Sequence, residues 1–186
     1  ACLAQISRDT GLAMIYVSHQ IEEVSSIADT IVFLAEGRVQ AEGPLLELAA
    51  RLDTQLAADE SAAALLRAEV LASDTEYGLT QLSVDTQTLW VSGLSTPGSS
   101  RRLRVPARDV SVCRERPAGS SILNILPVTL RETRVLSQAH CLLRLQLDTQ
   151  YLLARITRKS HDELALKPGD QLFAQIKSTA LLGDTP

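Results

Sequence analysis

Leu82-Ser83-Val84-Asp85-Thr86-Gln87-Thr88-Leu89-Trp90-Val91 and, further along, Leu145-Gln146-Leu147-Asp148-Thr149-Gln150-Tyr151-Leu152-Leu153-Ala154 are two versions of one stretch. In each, apolar residues flank an identical Asp-Thr-Gln, the pattern of two strands joined by a tight turn. Turn chemistry alone explains an Asp-Thr-Gln loop, because Asp suits the turn wherever it occurs. A duplicated unit explains the loop and the strand order around it, so two related small β-barrels are the economical reading.

Outward from the first copy, strands are expected at Leu66 to Ala72, Leu79 to Val84, Thr88 to Val91, Leu103 to Val105 and Val110 to Cys113. The Gly/Ser/Pro-rich stretch Gly93 to Ser100 reads as an exposed loop, and Pro117-Ala118-Gly119 as a break. Outward from the second copy, strands are expected at Ile122 to Glu132, Cys141 to Leu147, Tyr151 to Ile156 and Gln171 to Ile176. A short helix follows at Ser160, whose hydroxyl suits an N-cap with Glu163 as its capping-box partner. Arg155, alternating with apolar neighbours, is expected on the solvent face.

The first fifty residues read differently, as α/β. Leu12 to Val17 is an apolar run of strand length, and Ile21 to Ala28 has helical spacing. Thr30 to Leu34 and Arg38 to Ala41 flank Glu36-Gly37 as a hairpin, and Pro44 opens a helix through Leu52. The expected organisation is therefore an α/β portion at 1–54, a linker at 55–64, a first OB-like β unit at 65–116 and a second at 119–184.

Composition narrows the function. Eighteen basic and 22 acidic residues give a net charge of -4, which argues against nucleic acid as a partner, and six aromatics leave few faces for base stacking. The core is expected to be aliphatic. Apolar runs such as Ile31 to Ala35 fall short of the roughly 20 residues a membrane helix needs. Cys2, Cys113 and Cys141 are too scattered for a disulfide framework, so a reducing cytoplasm is the expected setting. The opening Ala-Cys-Leu-Ala-Gln-Ile has no initiator Met and no secretory leader, and reads as the start of a fragment.

Two constellations could carry chemistry. The first is Ile15-Tyr16-Val17-Ser18-His19-Gln20 with Glu22 and Glu23, where a histidine at a strand end can donate to a phosphate. A solvated helix start reads equally well from these residues alone. Ser18, Glu22 and Glu23 do not form a nucleophile, base and orienter. The second is spread over Ser121-Ile122-Leu123-Asn124, Ile156-Thr157-Arg158-Lys159-Ser160 and Ile176-Lys177-Ser178. Each piece has an ordinary structural use. Together, hydroxyls, amides and one ammonium suit a tetrahedral oxyanion.

The block Gly11 to Gly43, with its strand, histidine, A-D-T-I-V-F-L and closing E-G-P, resembles the end of an ABC-transporter nucleotide-binding domain. That resemblance implies that His19 is the switch histidine of an ATPase using ATP and Mg in its intact form. The chain has no G-x-x-x-x-G-K-[ST] loop and no L-S-G-G-Q, so hydrolysis by this chain alone is not expected. The last seventy residues resemble the Mop-type (TOBE) molybdate/tungstate-binding domain in S-x-x-N, I-T-x-x-S and I-K order. This implies oxyanion ligands at Ser121, Ile122, Asn124, Ser160, Lys177 and Ser178, commonly completed between paired barrels. Where that family often has Arg, this chain has Ile122-Leu123. Both resemblances together imply the ATP-binding subunits of molybdate ABC importers: homodimers through ATPase and TOBE domains, peripheral on the cytoplasmic face of the inner membrane, docked on membrane-spanning permease subunits. TOBE barrels on importers of other solutes, such as sugar or sulfate, keep a purely structural role open.

Overall fold

A computed structural model of the chain describes residues 10–18, 23–24, 27–54, 57, 60–178 and 182–183. Alternation becomes two five-stranded antiparallel sheets plus a separate hairpin. The hairpin is β1 (Thr30–Ala35) and β2 (Arg38–Pro44), turned by Glu36 and Gly37, both at positive φ. A one-turn helix, α1 (Leu45–Ala49), follows. It is shorter than the helix expected through Leu52 because residues 51–54 leave the helical path, with Arg51 turned onto Asp53. The first sheet holds β3 (Ala63–Asp74), β4 (Leu79–Val84), β5 (Gln87–Ser92) and β6 (Ser100–Pro106). A 3-10 turn at Ala107–Asp109 leads to β7 (Val110–Cys113). The second sheet holds β8 (Asn124–Val135), β9 (His140–Leu147), β10 (Gln150–Thr157) and β11 (Gln171–Ile176), with α2 (Arg158–Glu163) between the last two. Last comes β12 (Leu182–Gly183).

The duplication is visible in the backbone. β3 and β8 are each twelve residues long, and each carries a bulge, between Val70 and Ala72 in one and between Leu130 and Glu132 in the other. A bulge bends a strand. Each long strand therefore serves two neighbours: β3 pairs with β6 over 63–69 and with β4 from Glu69 on, across the bulge, and β8 likewise with β11 over 124–129 and with β9 from Thr129 on.

The sheets exchange their fifth strands. β7 follows the first unit in sequence yet pairs with β11 of the second, and β12 returns to pair with β6 of the first. The interior is correspondingly continuous: Leu66, Leu82 and Leu103 share one aliphatic cluster with Leu130, Leu145 and Leu172. Each fully buried leucine contributes roughly 1.5–3 kcal/mol, which makes this cluster the main source of stability.

In the front portion, Leu12 to Val17 forms no strand; Ile15 is 96% and Val17 89% exposed. A strand needs a hydrogen-bonded neighbour, and among the described residues this run has none. Ile31, by contrast, leans on the small cluster of Leu45, Ala49 and Leu65 that seats α1 on the first barrel. Arg102 secures the same junction by donating to the Ala28 carbonyl at 2.8 Å and to Asp29 at 3.0 Å. Arg134 of β8 donates to the Leu52 carbonyl. Arg155 is half-buried rather than solvent-facing, because β10 is covered on its outer side by β3 and the 3-10 turn.

Candidate functional site

Asn124 is the first residue of β8 and is 1% exposed. A buried carboxamide must find partners, and this one finds them on the other barrel. Its Oδ1 accepts from the Trp90 N–H at 2.6 Å, and its Nδ2 donates to the Trp90 carbonyl at 2.9 Å. The side chain thereby mimics one rung of a β-ladder between β5 and β8. Nδ2 also donates to Ser178 Oγ, at 3.4 Å.

Strand pairing brings the rest of this end together. Asn124 is in register with Ile176, so Lys177 and Ser178 emerge beside it. Lys177 is exposed and Ser178 half-buried. Before β8, the Ile122 N–H donates to Ser120 Oγ at 3.1 Å, a local turn that leaves Ser121 exposed and Ile122 half-buried. Five of the expected residues, Ser121, Ile122, Asn124, Lys177 and Ser178, thus belong to one end of the second barrel.

Ser160 belongs to the other end. Thr157, just before α2, pairs with His140, and the next residue, Cys141, pairs with Val135 at the far terminus of β8. Ser160 is also not the helix cap. Thr157 is: its Oγ1 accepts from the Ser160 N–H at 3.0 Å and meets Ser160 Oγ at 2.8 Å. The helix starts one residue after Thr157, which puts Ser160 at its third position. Glu163 instead faces Lys159 at 3.7 Å, four residues earlier. His19 lies outside the described residues. Nearby, the Tyr16 and Ser18 hydroxyls both donate to Glu23, and the Tyr16 hydroxyl is shifted up, first by that hydrogen bond.

The Asp-Thr-Gln turns, read from sequence only as a repeat, interlock. The Thr149 N–H and hydroxyl each donate to Asp85 at 3.0 Å. Reciprocally, the Thr86 N–H donates to Asp148 at 3.2 Å and its hydroxyl to the same oxygen. Asp85 and Asp148 both sit at positive φ, the left-handed conformation that Asp tolerates better than most residues. The glutamines complete the pattern. Gln150 accepts from the Arg67 N–H at 2.7 Å and donates to its carbonyl at 3.1 Å, while Gln87 donates to the Pro127 carbonyl at 3.0 Å. Sequence spacing could flag the duplication but not that its two copies bind each other.

Burial raises the Cys113 and Cys141 thiols, which makes them poor nucleophiles. Asp170 is held below the usual carboxylate range, first by the Lys167 N–H at 2.9 Å and further by Arg114 at 3.0 Å. Among the described residues no group of His, Cys, Asp and Glu could hold a metal ion, and no helix is long and apolar enough to cross a membrane.

Comparison with known proteins adds three findings. The TOBE domain model matches residues 120–182. The molybdenum import ATP-binding protein ModC of Aromatoleum aromaticum is 42% identical over 181 residues, covering 97% of this chain and 48% of that protein. Its counterparts from Azotobacter vinelandii and Pseudomonas aeruginosa are 42% and 41% identical, each over 97% of this chain and 51% of the relative. The chain thus spans about half the length of the curated relatives it matches. Among solved structures, the cytoplasmic molybdate-binding protein ModG, with molybdate bound, superposes with a TM-score of 0.60, covering 66% of this chain and 95% of that one. At 18% identity, that likeness concerns the fold.

Proposed function

We propose, for a chain that is homologous to the molybdenum import ATP-binding proteins and carries a TOBE domain, that its barrels bind molybdate or tungstate within the ATP-binding subunit of a molybdate ABC importer. The observation that carries this reading is the meeting of Asn124 with Ser178 beside the exposed Lys177, in the barrel that matches TOBE. A tetrahedral oxyanion needs several hydrogen-bond donors and little else. Here Lys177 supplies charge and Ser178 and Ser121 supply hydroxyls, while the Ile122 N–H is engaged by Ser120 Oγ.

Asn124 holds β5 and β8 together, and its Nδ2 also donates to Ser178. Ser160 joins this set from a second copy, since within one chain the two groups occupy opposite ends of β8. We assign the 1–54 portion to the end of the ATPase domain, with His19 as its switch histidine, and the units at 65–116 and 119–184 to the paired barrels. The intact subunit would use ATP and Mg, dimerise, and sit beneath membrane-spanning permease subunits on the cytoplasmic face of the inner membrane. Without a phosphate-binding loop or signature motif, this chain by itself would not hydrolyse ATP.

Calorimetric titration with molybdate, tungstate and sulfate tests the reading. Heat with the first two, weakened at least tenfold by Lys177→Ala and by Ser178→Ala, is the expected outcome. No heat with any oxyanion would instead support barrels that only pair and brace an importer ATPase for another solute. The commitment of the Asn124 amide to Trp90 is the one feature that favours that second reading.

A further inference from the structure

The two barrels meet along two seams that the duplication makes equivalent. In one, β10 lies along the first half of β3; in the other, β5 lies along the first half of β8. Arg67 and Pro127 hold corresponding places, each three residues before the bulge that follows Val70 or Leu130. Gln150 grips Arg67 through both its N–H and its carbonyl. Gln87 reaches the Pro127 carbonyl in the same way, but proline has no N–H to offer. Gln87 Oε1 is accordingly buried without a hydrogen-bond partner. Pro127 leaves no rung unmade toward β9, because β9 begins pairing with β8 only at Thr129.

The turns share the imbalance. Asp85 accepts from Thr149 and also from Gln150 at 3.1 Å, all on the β3–β10 side, whereas Asp148 accepts from Thr86 alone. We propose that the β5–β8 seam is the yielding one of the pair, set so by Pro127, and that its opening frees the Asn124 amide from Trp90 for an anion held at Ser178. The second half of that statement rests on the oxyanion reading above; the first does not. A buried acceptor left unmade is the costly kind of polar group, so the seam that contains it loses stability first.

Residue-resolved amide hydrogen exchange on the full chain decides between the seams. The Trp90 N–H, held by Asn124, should exchange at least tenfold faster than the Arg67 N–H, held by Gln150, after correction for intrinsic rates. Pro127→Val, which restores the missing N–H in a residue suited to strands, should slow Trp90 about tenfold and leave Arg67 within twofold. Saturating molybdate should change the Trp90 rate and not the Arg67 rate. Equal protection at the two amides in the wild-type chain overturns the proposal without recourse to any variant, as does a Pro127→Val chain in which Trp90 is unaffected. Heat of molybdate binding with equal protection would uphold the oxyanion reading and sink the yielding seam. The exchange contrast with no heat from any oxyanion would do the reverse.

Discussion

Replacing Asn124 by alanine removes a rung that only a carboxamide can make. Two Trp90 backbone groups, the N–H at 2.6 Å and the carbonyl at 2.9 Å, lose their partner at once. A buried backbone group left unpaired costs about 1–3 kcal/mol. Trp90 is half-buried, so water reaches part of the exposed rung, and the expected loss is about 2–4 kcal/mol. For a chain of this size each kcal/mol lowers Tm by roughly 2–4 °C, which places the variant roughly 4–16 °C below the parent. Urea denaturation followed by fluorescence is the natural assay, because the chain has a single tryptophan and it is the residue that the clamp holds. Asn124→Asp sharpens the test. It keeps an acceptor for the Trp90 N–H but sets a carboxylate oxygen against the Trp90 carbonyl, so it should cost more than alanine at pH 7 and recover as the carboxyl is protonated in acid. An alanine variant within about 0.5 kcal/mol of the parent, with unchanged fluorescence, would refute the ladder-rung argument.

Three further outcomes follow from the geometry. In the interlocked turns, a double-mutant cycle of Thr86→Val and Asp148→Ala should show a coupling of about 1 kcal/mol, measured by denaturant midpoint, because the hydroxyl bond that Thr86→Val removes is one of the two that Asp148→Ala removes. Asp170 titrates below its unfolded value, so the stability it confers is complete above the ordinary carboxylate range and disappears as pH falls through its lowered folded value; Asp170→Asn should flatten the acid limb of an unfolding curve at the corresponding pH. Leu45→Ala removes a fully buried side chain from the small cluster with Ala49 and Leu65 and should cost about 2–4 kcal/mol of docking. Because that cluster is separate from the barrel core, limited proteolysis should cut faster within residues 27–54 while the barrels keep their melting temperature.

Strands were legible where alternation ran beside a partner. Leu79–Val84, Val110–Cys113 and Gln171–Ile176 fall where the pattern puts them, whereas β3 runs past its expected bounds at both ends and β8 begins at Asn124 rather than Ile122 and runs on to Val135. Leu12 to Val17 shows the limit: its composition is that of a strand, but a strand is a relation between two segments, and the second is not there among the described residues. The helix expected to be capped by Ser160 is capped by Thr157, for a chemical reason. Thr157 and Ser160 are both hydroxyl residues able to cap, three apart, and only the backbone geometry selects the first. The ends of the candidate site were legible as motifs, yet their grouping was not. That Asn124 and Ser178 meet while Ser160 sits elsewhere depends on the register of β8, β9, β10 and β11, which leaves no mark in any one segment.

The exchange of β7 and β12 has a consequence for how the protein is made. A ribosome delivers the chain in order, and the first barrel receives its closing strand only when Leu182 and Gly183 have left the exit tunnel. Until then β6 keeps a bare edge, while Val110–Cys113 waits for β11, which has yet to be synthesised. Completion of both barrels is thus deferred until β11 and β12 have both emerged, and a nascent chain stalled before them would present two open edges to its neighbours on the polysome.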